Sequence, residues 1–208
     1  MKTKCRATKY EFQPCGKRKV EGAFDGGRIT SDSGGLLAGK AEDRFKVIAR
    51  FAECFTDYRD PEKIEHTVQH LVSQRVHALM LGYEDLIDHD ELRKDVLLAS
   101  LAGKQDPTGK DRSRKREQGV PLAGKSTLNR MELTPSDADS SHRYKKIVLD
   151  EEAVDNLLVK FFLEQQQKAP ERIFLDADAT DDPLHGDQEG KFFHGYYKAY
   201  CYLPLYIF

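Results

Sequence analysis

Two aspartates towards the C-terminal end of the chain have the residue type and the spacing of a metal-binding site. The segment Arg172–Thr180 runs from apolar into acidic residues, a pattern that predicts a short strand. Residues two apart in a strand point to the same face, so Asp176 and Asp178 are predicted to project together. Neighbouring carboxylates repel each other unless a cation or solvent relieves the repulsion. We therefore expect a hard ion that prefers oxygen ligands, Mg²⁺ or Mn²⁺.

The charges of the chain are segregated, although its formal net charge is only −2. Residues 1–20 carry seven Lys/Arg and one Glu, and residues 104–130 carry eight Lys/Arg and three acids. Residues 150–190 reverse this balance, with twelve Asp/Glu and three basic residues. Basic blocks far from an acidic one favour a polyanionic partner and a separate cation site. Any single charge run is equally consistent with a solvated face.

The basic residues at 104–130 follow a region of helical periodicity over residues 37–102. Residues 103–120 are predicted to form a flexible basic loop, followed by a short helix that Ser126 or Thr127 caps and whose Leu128 faces inward. Such a helix beside a basic loop suits a reader of the DNA major groove, although a purely structural helix fits the pattern equally well. The candidate DNA-contacting residues are Arg112, Arg114, Lys115, Arg116, Lys125, Ser126, Thr127 and Arg130.

The acidic strand is predicted to follow a further amphipathic helix over residues 146–168, which Pro170 terminates. A polar turn at residues 181–190, an aromatic run and a terminal apolar strand complete the pattern. Helices followed by strands predict an α+β fold.

Other patterns carry weaker signals. His66 and His70 are four residues apart without an intervening HExxH carboxylate, so we interpret them as structural. None of the four cysteines forms a CxxC pair, which argues against zinc and disulfides. The Gly-rich segment 24–36 lacks the spacing of a phosphate-binding loop. No apolar run approaches the roughly 18 residues of a membrane span, and the basic N-terminus lacks a following signal-peptide core, so we expect a cytoplasmic protein.

A series of motifs, in order along nearly the whole chain, resembles bacterial DDE transposases of the insertion sequence 1380 family. The motifs in the C-terminal part are LDADATDDPLHGDQEG (175–190), HGYY (194–197) and CYLPLY (201–206). The upstream motifs are TSDSGGL (30–36), QRV (74–76), GYED (82–85), LRKD (92–95) and AGKSTLNRME (123–132). Several motifs in the same order are far more specific than any one of them.

This resemblance implies a helical DNA-binding region followed by the first strands of a ribonuclease-H-like core. Residues 1–40 would be an irregular Gly-rich segment, residues 41–145 the DNA-binding region and residues 146–208 the start of the catalytic domain. The family's chemistry is metal-dependent cutting and rejoining of DNA, in which two Asp and one Glu hold two Mg²⁺ ions. Its first Asp lies in an Asp-small-Thr context, which Asp178 matches, with Asp176 as the alternative. The implied partners are double-stranded terminal inverted repeats on the bacterial nucleoid and a second copy of the chain for synapsis.

The resemblance also implies a second Asp and a Glu that would follow the last strand of this sequence. We therefore expect a transposase truncated within its catalytic core and inactive by itself, with the apolar run 202–208 as an unpaired edge. The alternative is a non-catalytic remnant that still binds inverted repeats. An unrelated metal-dependent hydrolase is a third hypothesis, for which further metal ligands are not evident.

Overall fold

The computed structural model describes residues 10–15, 18–22, 30–184, 186–188 and 190–207. The chain divides into two compact units, Met1–Val159 and Lys160–Phe208. Helices dominate the described part of the first unit, and short strands dominate that of the second. This mixture of helices and small sheets agrees with the predicted α+β class. Among the described residues, no helix combines the length and apolar character needed to cross a membrane.

The first unit contains an N-terminal β-hairpin in a segment for which the sequence predicts irregular structure. Strand β1 spans Tyr10–Cys15 and pairs antiparallel with β2 at Arg18–Gly22. Residues 23–29, which include much of the Gly-rich motif, lie outside the described residues.

A helical core follows the hairpin, and α3 lies at its centre. Its helices are α1 (Gly35–Phe45), α2 (Val47–Ala52), α3 (Val68–Met80), α4 (His89–Leu92), α5 (Val96–Leu101) and α6 (Lys125–Glu132). Helix α3 packs against α1, α2, α5 and α6. Its Leu71 and Val72 are fully buried, as is Leu128 of α6. The helix predicted from the spacing of these apolar residues in α3 is confirmed.

Both ends of α3 are defined by local hydrogen bonds and backbone conformation. The Thr67 hydroxyl accepts from the backbone N–H of His70, whose ring nitrogen accepts from the Thr67 N–H, forming a capping box. Gly82 follows the helix with φ of 91°, a left-handed conformation that costs glycine little. The predicted stop at Gly82 is confirmed.

A two-stranded sheet joins two distant parts of the first unit. Strand β3 spans Phe55–Asp57 and pairs antiparallel with β4 at Ile147–Leu149. The sequence predicts helices that include Phe55 and Ile147, and both predictions are wrong. Apolar and β-branched residues fit a half-buried strand once a partner strand is present, and short apolar runs do not reveal that partner. Helix α7 is correspondingly shorter than predicted and spans Glu151–Glu164.

The second unit contains two small antiparallel sheets. Its strands are β5 (Ala177–Ala179), β6 (Asp182–Pro183), β7 (Phe192–His194), β8 (Ala199–Tyr202) and β9 (Leu205–Ile207). Strand β5 pairs with β9, and the other sheet has the order β6-β8-β7.

The apolar run at residues 202–208 is not an unpaired edge, which corrects the sequence-based expectation. Tyr202 lies opposite Asp182 in the three-stranded sheet, and Tyr206 lies opposite Asp178. Phe208 lies outside the described residues. The error arose because sequence alone did not reveal that this run folds back onto the acidic strand.

Candidate nucleic-acid interface

Helix α6 separates its polar side chains from its core residues. Leu128 and Met131 are buried, whereas Ser126 and Arg130 are exposed and Thr127 is partly exposed. The predicted orientation of this helix is therefore confirmed. Two hydroxyls and a guanidinium lie on the side of the helix that faces away from the core.

The N-terminus of α6 differs from the prediction, because neither Ser126 nor Thr127 is its cap. Gly124 is the N-cap residue and makes no side-chain cap hydrogen bond. A Cβ atom at this position would lie 2.9 Å from a guanidinium nitrogen of Arg93. The glycine therefore leaves space in which the Arg93 guanidinium approaches the start of the helix.

The chain entering α6 is fixed by a buried amide side chain. Gln74 of α3 accepts from the Ala123 N–H at 3.0 Å and donates to the Ala123 carbonyl at 2.8 Å. The neighbouring Leu122 is fully buried, and its N–H donates to the Arg93 carbonyl at 3.2 Å. These contacts attach the start of α6 to two other helical segments.

The basic segment at residues 103–120, predicted to be a flexible loop, is tied together by hydrogen bonds. The Asp106 carboxylate accepts from Thr108 at both N–H and hydroxyl, and from the backbone N–H groups of Lys110 and Asp111. These hydrogen bonds, the Thr108 hydroxyl first, lower the pKa of Asp106 to about 2. The carboxylate thus stays charged and organises the turn that precedes the basic residues.

Arg112 is buried between two carboxylates. It is 8% exposed, and its guanidinium contacts Glu65 and Glu117, each at 2.6 Å. It also donates to the ring of His66. Burial, followed by the charge of Arg112, lowers the pKa of His66 to about 3, so this ring is neutral and accepts the hydrogen bond. The predicted DNA contact by Arg112 is untested, and its observed contacts hold the basic segment onto the helical core.

The other basic residues of this segment are exposed. Arg114, Lys115 and Arg116 all reach solvent. Arg114 and Arg116 lie 3.6 and 3.9 Å from the Glu117 carboxylate, distances that mark weak surface ion pairs.

The segment and α6 together line a basic groove of about 340 Å³. Seven cationic side chains line it against three carboxylates. The cationic residues are Arg59, Lys63, Arg93, Arg112, Arg114, Lys125 and Arg130, and the acidic ones are Glu65, Asp90 and Glu117. Ser126 and Thr127 add hydroxyl groups. The groove therefore combines net positive charge with hydrogen-bond donors, as an anion-binding surface requires.

Some cations of the basic groove are neutralised locally. Lys125 contacts Asp90 at 2.8 Å, and this hydrogen bond lowers the pKa of Asp90. Arg59 forms a bidentate ion pair with Asp57, donating from two nitrogens to both carboxylate oxygens. Within the described residues, no ion pair involves Arg93 or Arg130. The positive charge available to a ligand therefore centres on these two arginines and the exposed Arg114.

The two histidines of α3, His70 and His77, have structural contacts, and for His70 this agrees with the interpretation from the sequence. His70 completes the capping box, and His77 lies 2.8 Å from the Ser73 carbonyl through its Nδ1 atom. In the part of the chain that the structure describes, no group of three His, Cys, Asp or Glu residues is arranged to hold a metal ion.

The acidic strand lies in the other unit. Asp178 occupies the centre of β5, opposite Tyr206 of β9, and its side chain is exposed. Asp176 is also exposed and immediately precedes β5. His185, which the sequence assigns to the following turn, lies outside the described residues.

The chain matches a family model, transposase DDE domain group 1, over residues 12–208. It belongs to this family. Neither the curated proteins nor the solved structures yield a match. A transposase acts on DNA, so the basic groove has a chemically suitable partner in the phosphate backbone.

DDE transposase domains use divalent metal ions, and the acidic strand of this transposase fits such an ion only in part. The carboxylates of Asp176 and Asp178 supply the hard oxygen ligands that these ions prefer. The described residues do not, however, bring three metal ligands together. We therefore derive no catalytic step through a metal ion from the geometry of these residues.

Sequence reasoning missed three cationic residues of the basic groove, Arg59, Lys63 and Arg93. They precede residues 104–130 in the chain, and the fold brings them to the same groove. The motif LRKD (92–95) contains Arg93, but only the contact with Gly124 reveals its position at the start of α6.

Proposed function

We propose that this transposase is of the insertion sequence 1380 type and binds the double-stranded terminal inverted repeats of its element through the basic groove. The transposase would then bind DNA at the bacterial nucleoid. The observation that supports this proposal best is the convergence of Arg93, Arg114 and Arg130 in one groove, which the hydroxyls of Ser126 and Thr127 also line. Arginine and lysine contacts to phosphates supply most of the affinity of such surfaces and make it strongly salt-dependent.

The test is a titration of a fluorescein-labelled DNA duplex with the purified chain at several KCl concentrations. Replacing Arg93 and Arg114 together by Gln should reduce the slope of log affinity against log salt by roughly 1.8, or about 0.9 for each lost phosphate contact. The matched control neutralises Lys40 and Lys168, two exposed lysines outside the groove. If the two double variants have equal salt slopes, the groove does not contact the DNA phosphates.

We propose that Asp178 is a metal ligand of the transposase, with Asp176 as the alternative. Support comes from the Asp-small-Thr context and from the exposure of both carboxylates beside a paired strand. Calorimetric titration with Mn²⁺ tests this without requiring activity. Asp178→Asn should weaken binding, whereas Asp155→Asn, at an exposed helical position, should not. Loss of binding in Asp176→Asn alone would transfer the role to that residue.

The homodimer stays a prediction, as does the alternative of a chain that binds inverted repeats without cutting them. Strand transfer by the purified chain in Mg²⁺ would contradict this binding-only alternative. DNA binding without strand transfer would favour the binding remnant over the complete activity.

A further inference from the structure

Tyr144 is an exposed aromatic residue that contacts two arginines. The guanidinium carbons of Arg130 and Arg143 each lie 4.8 Å from the centroid of its ring, within the range of cation–π contacts. The tyrosine itself is 53% exposed. Because Arg130 lines the basic groove, this cluster of Arg130, Tyr144 and Arg143, here called the Tyr144 clip, adjoins the groove.

The Tyr144 clip places two guanidinium groups against one aromatic ring. Since both guanidinium carbons are equally distant from the ring centroid, they are at most twice that distance apart. Within the described residues, neither arginine forms an ion pair with a carboxylate. Both guanidinium groups are therefore available to contact an anion.

The segment that carries Tyr144 and Arg143 is anchored on its C-terminal side. There the carbonyl of Lys146 accepts from the Tyr58 N–H at 2.8 Å, and β4 then begins. Before the segment, the Asp139 carboxylate accepts from the N–H of Ser141 at 2.7 Å, which closes a local turn. The attachment to Tyr58 lies two residues from the ring that contacts the two arginine side chains.

We propose that the Tyr144 clip extends the DNA-binding surface beyond the basic groove and binds the sugar–phosphate backbone of duplex DNA. This inference rests on the proposed function. Arg130 and Arg143 contact phosphates, and Tyr144 is a positioning residue that holds their guanidinium groups before DNA arrives. Guanidinium groups suit this role because they donate paired hydrogen bonds to phosphate oxygens. Preorganisation by one ring reduces the entropy lost when two long side chains bind.

The experiment compares variants of the whole chain by fluorescence anisotropy, with a fluorescein-labelled duplex of arbitrary sequence and a KCl series. Arg143→Gln should make the salt slope less steep by roughly one, as expected for one lost phosphate contact. Tyr144→Leu should weaken binding by about twofold to tenfold, whereas Tyr144→Phe, which keeps the aromatic face, should bind like wild type. Tyr196→Leu, at a tyrosine that is 83% exposed in the other unit, is the matched control.

The outcomes separate this inference from the proposed function. Loss of binding in the Arg93/Arg114 variant, with Tyr144→Leu and Arg143→Gln unchanged, would contradict the role of the Tyr144 clip and leave that of the groove in place. A Tyr144→Phe variant as weak as Tyr144→Leu would also overturn it, because the aromatic face would then not be responsible. Wild-type chain that does not bind duplex DNA would overturn both. Arg143 is exposed, so Arg143→Gln tests the contact even where a change at Tyr144 disturbs folding.

Discussion

The side-chain amide of Gln74 forms a reciprocal pair of hydrogen bonds with the backbone of Ala123. The Gln74 side chain therefore pairs with this backbone as a neighbouring strand would, directly before the N-cap of α6. Its Nε2 atom also lies 3.0 Å from Nδ1 of His89. Because Nε2 is a donor, Nδ1 of His89 accepts and the proton of this ring resides on its Nε2 atom. Burial lowers the pKa of His89 to about 4, which keeps the ring in this neutral form.

Replacing Gln74 by Leu should destabilise the first unit and loosen α6. The N–H and carbonyl of buried Ala123 would both lose their partners, and each such loss costs about 1–3 kcal/mol. We expect the free energy of unfolding, measured by urea denaturation, to fall by about 2–6 kcal/mol. Gln69→Leu on the exposed side of the same helix is the control. Equal stability of the two variants would mean that Ala123 does not depend on the amide.

Replacement by Gln should reduce stability at Arg112 and DNA affinity at Arg114. Arg112→Gln removes a cationic partner of Glu65 and Glu117. The hydrogen bond from Arg112 is also the main cause that lowers the pKa of Glu117. Breaking a buried ion pair costs about 3–5 kcal/mol, and we expect the lower end because both carboxylates reach solvent. Arg114→Gln should leave stability within about 0.5 kcal/mol and reduce DNA affinity, since its side chain is exposed.

Urea denaturation and DNA titration of both variants distinguish these roles. Retained stability in Arg112→Gln together with weaker DNA binding would contradict the structural role of this residue. It would instead support the direct DNA contact expected from the sequence.

The sequence was sufficient to predict some elements and not others, for physical reasons. The spacing of Leu128 and Met131 determines which side of α6 is buried, so the orientation of that helix followed from local pattern. Strand β4 did not follow, because Ile147 becomes part of a strand only through its pairing with Asp57 far along the chain. Arg112 looked like its exposed neighbours, since its carboxylate partner Glu65 is also distant in sequence.

The neutral His66 should make the stability of the first unit depend on pH. An unfolded histidine has a pKa near 6.5, whereas that of folded His66 is about 3. Between these values the unfolded chain binds more protons, so the free energy of unfolding rises with pH across this window. His66→Gln keeps an acceptor for Arg112 but cannot be protonated.

Comparison of this variant with wild type isolates the contribution of His66 from that of the carboxylates. The slope of stability between about pH 4 and pH 6 should be shallower in His66→Gln by up to about 1.4 kcal/mol per pH unit. Urea denaturation at several pH values provides the measurement, and His194→Gln in the other unit is the control. Identical slopes for wild type and His66→Gln would show that His66 titrates normally in the folded chain.

Two N-cap glycines provide a matched test of the space around Arg93. A Cβ at Gly124 would press on the flexible end of Arg93, whereas nothing lies within 4 Å of a Cβ at Gly34, the N-cap of α1. Neither glycine has a positive φ, so alanine fits both backbones. Each substitution should change stability by less than about 1 kcal/mol.

Only Gly124→Ala should change DNA binding, because it displaces the Arg93 guanidinium from the basic groove. We expect weaker binding and a salt slope that is less steep by roughly one, the value for one phosphate contact. Anisotropy titrations over a KCl series measure both quantities for the two alanine variants. If Gly124→Ala and Gly34→Ala bind DNA equally well, Arg93 does not contact the phosphate backbone, and the positive charge of the groove then acts through its other arginines.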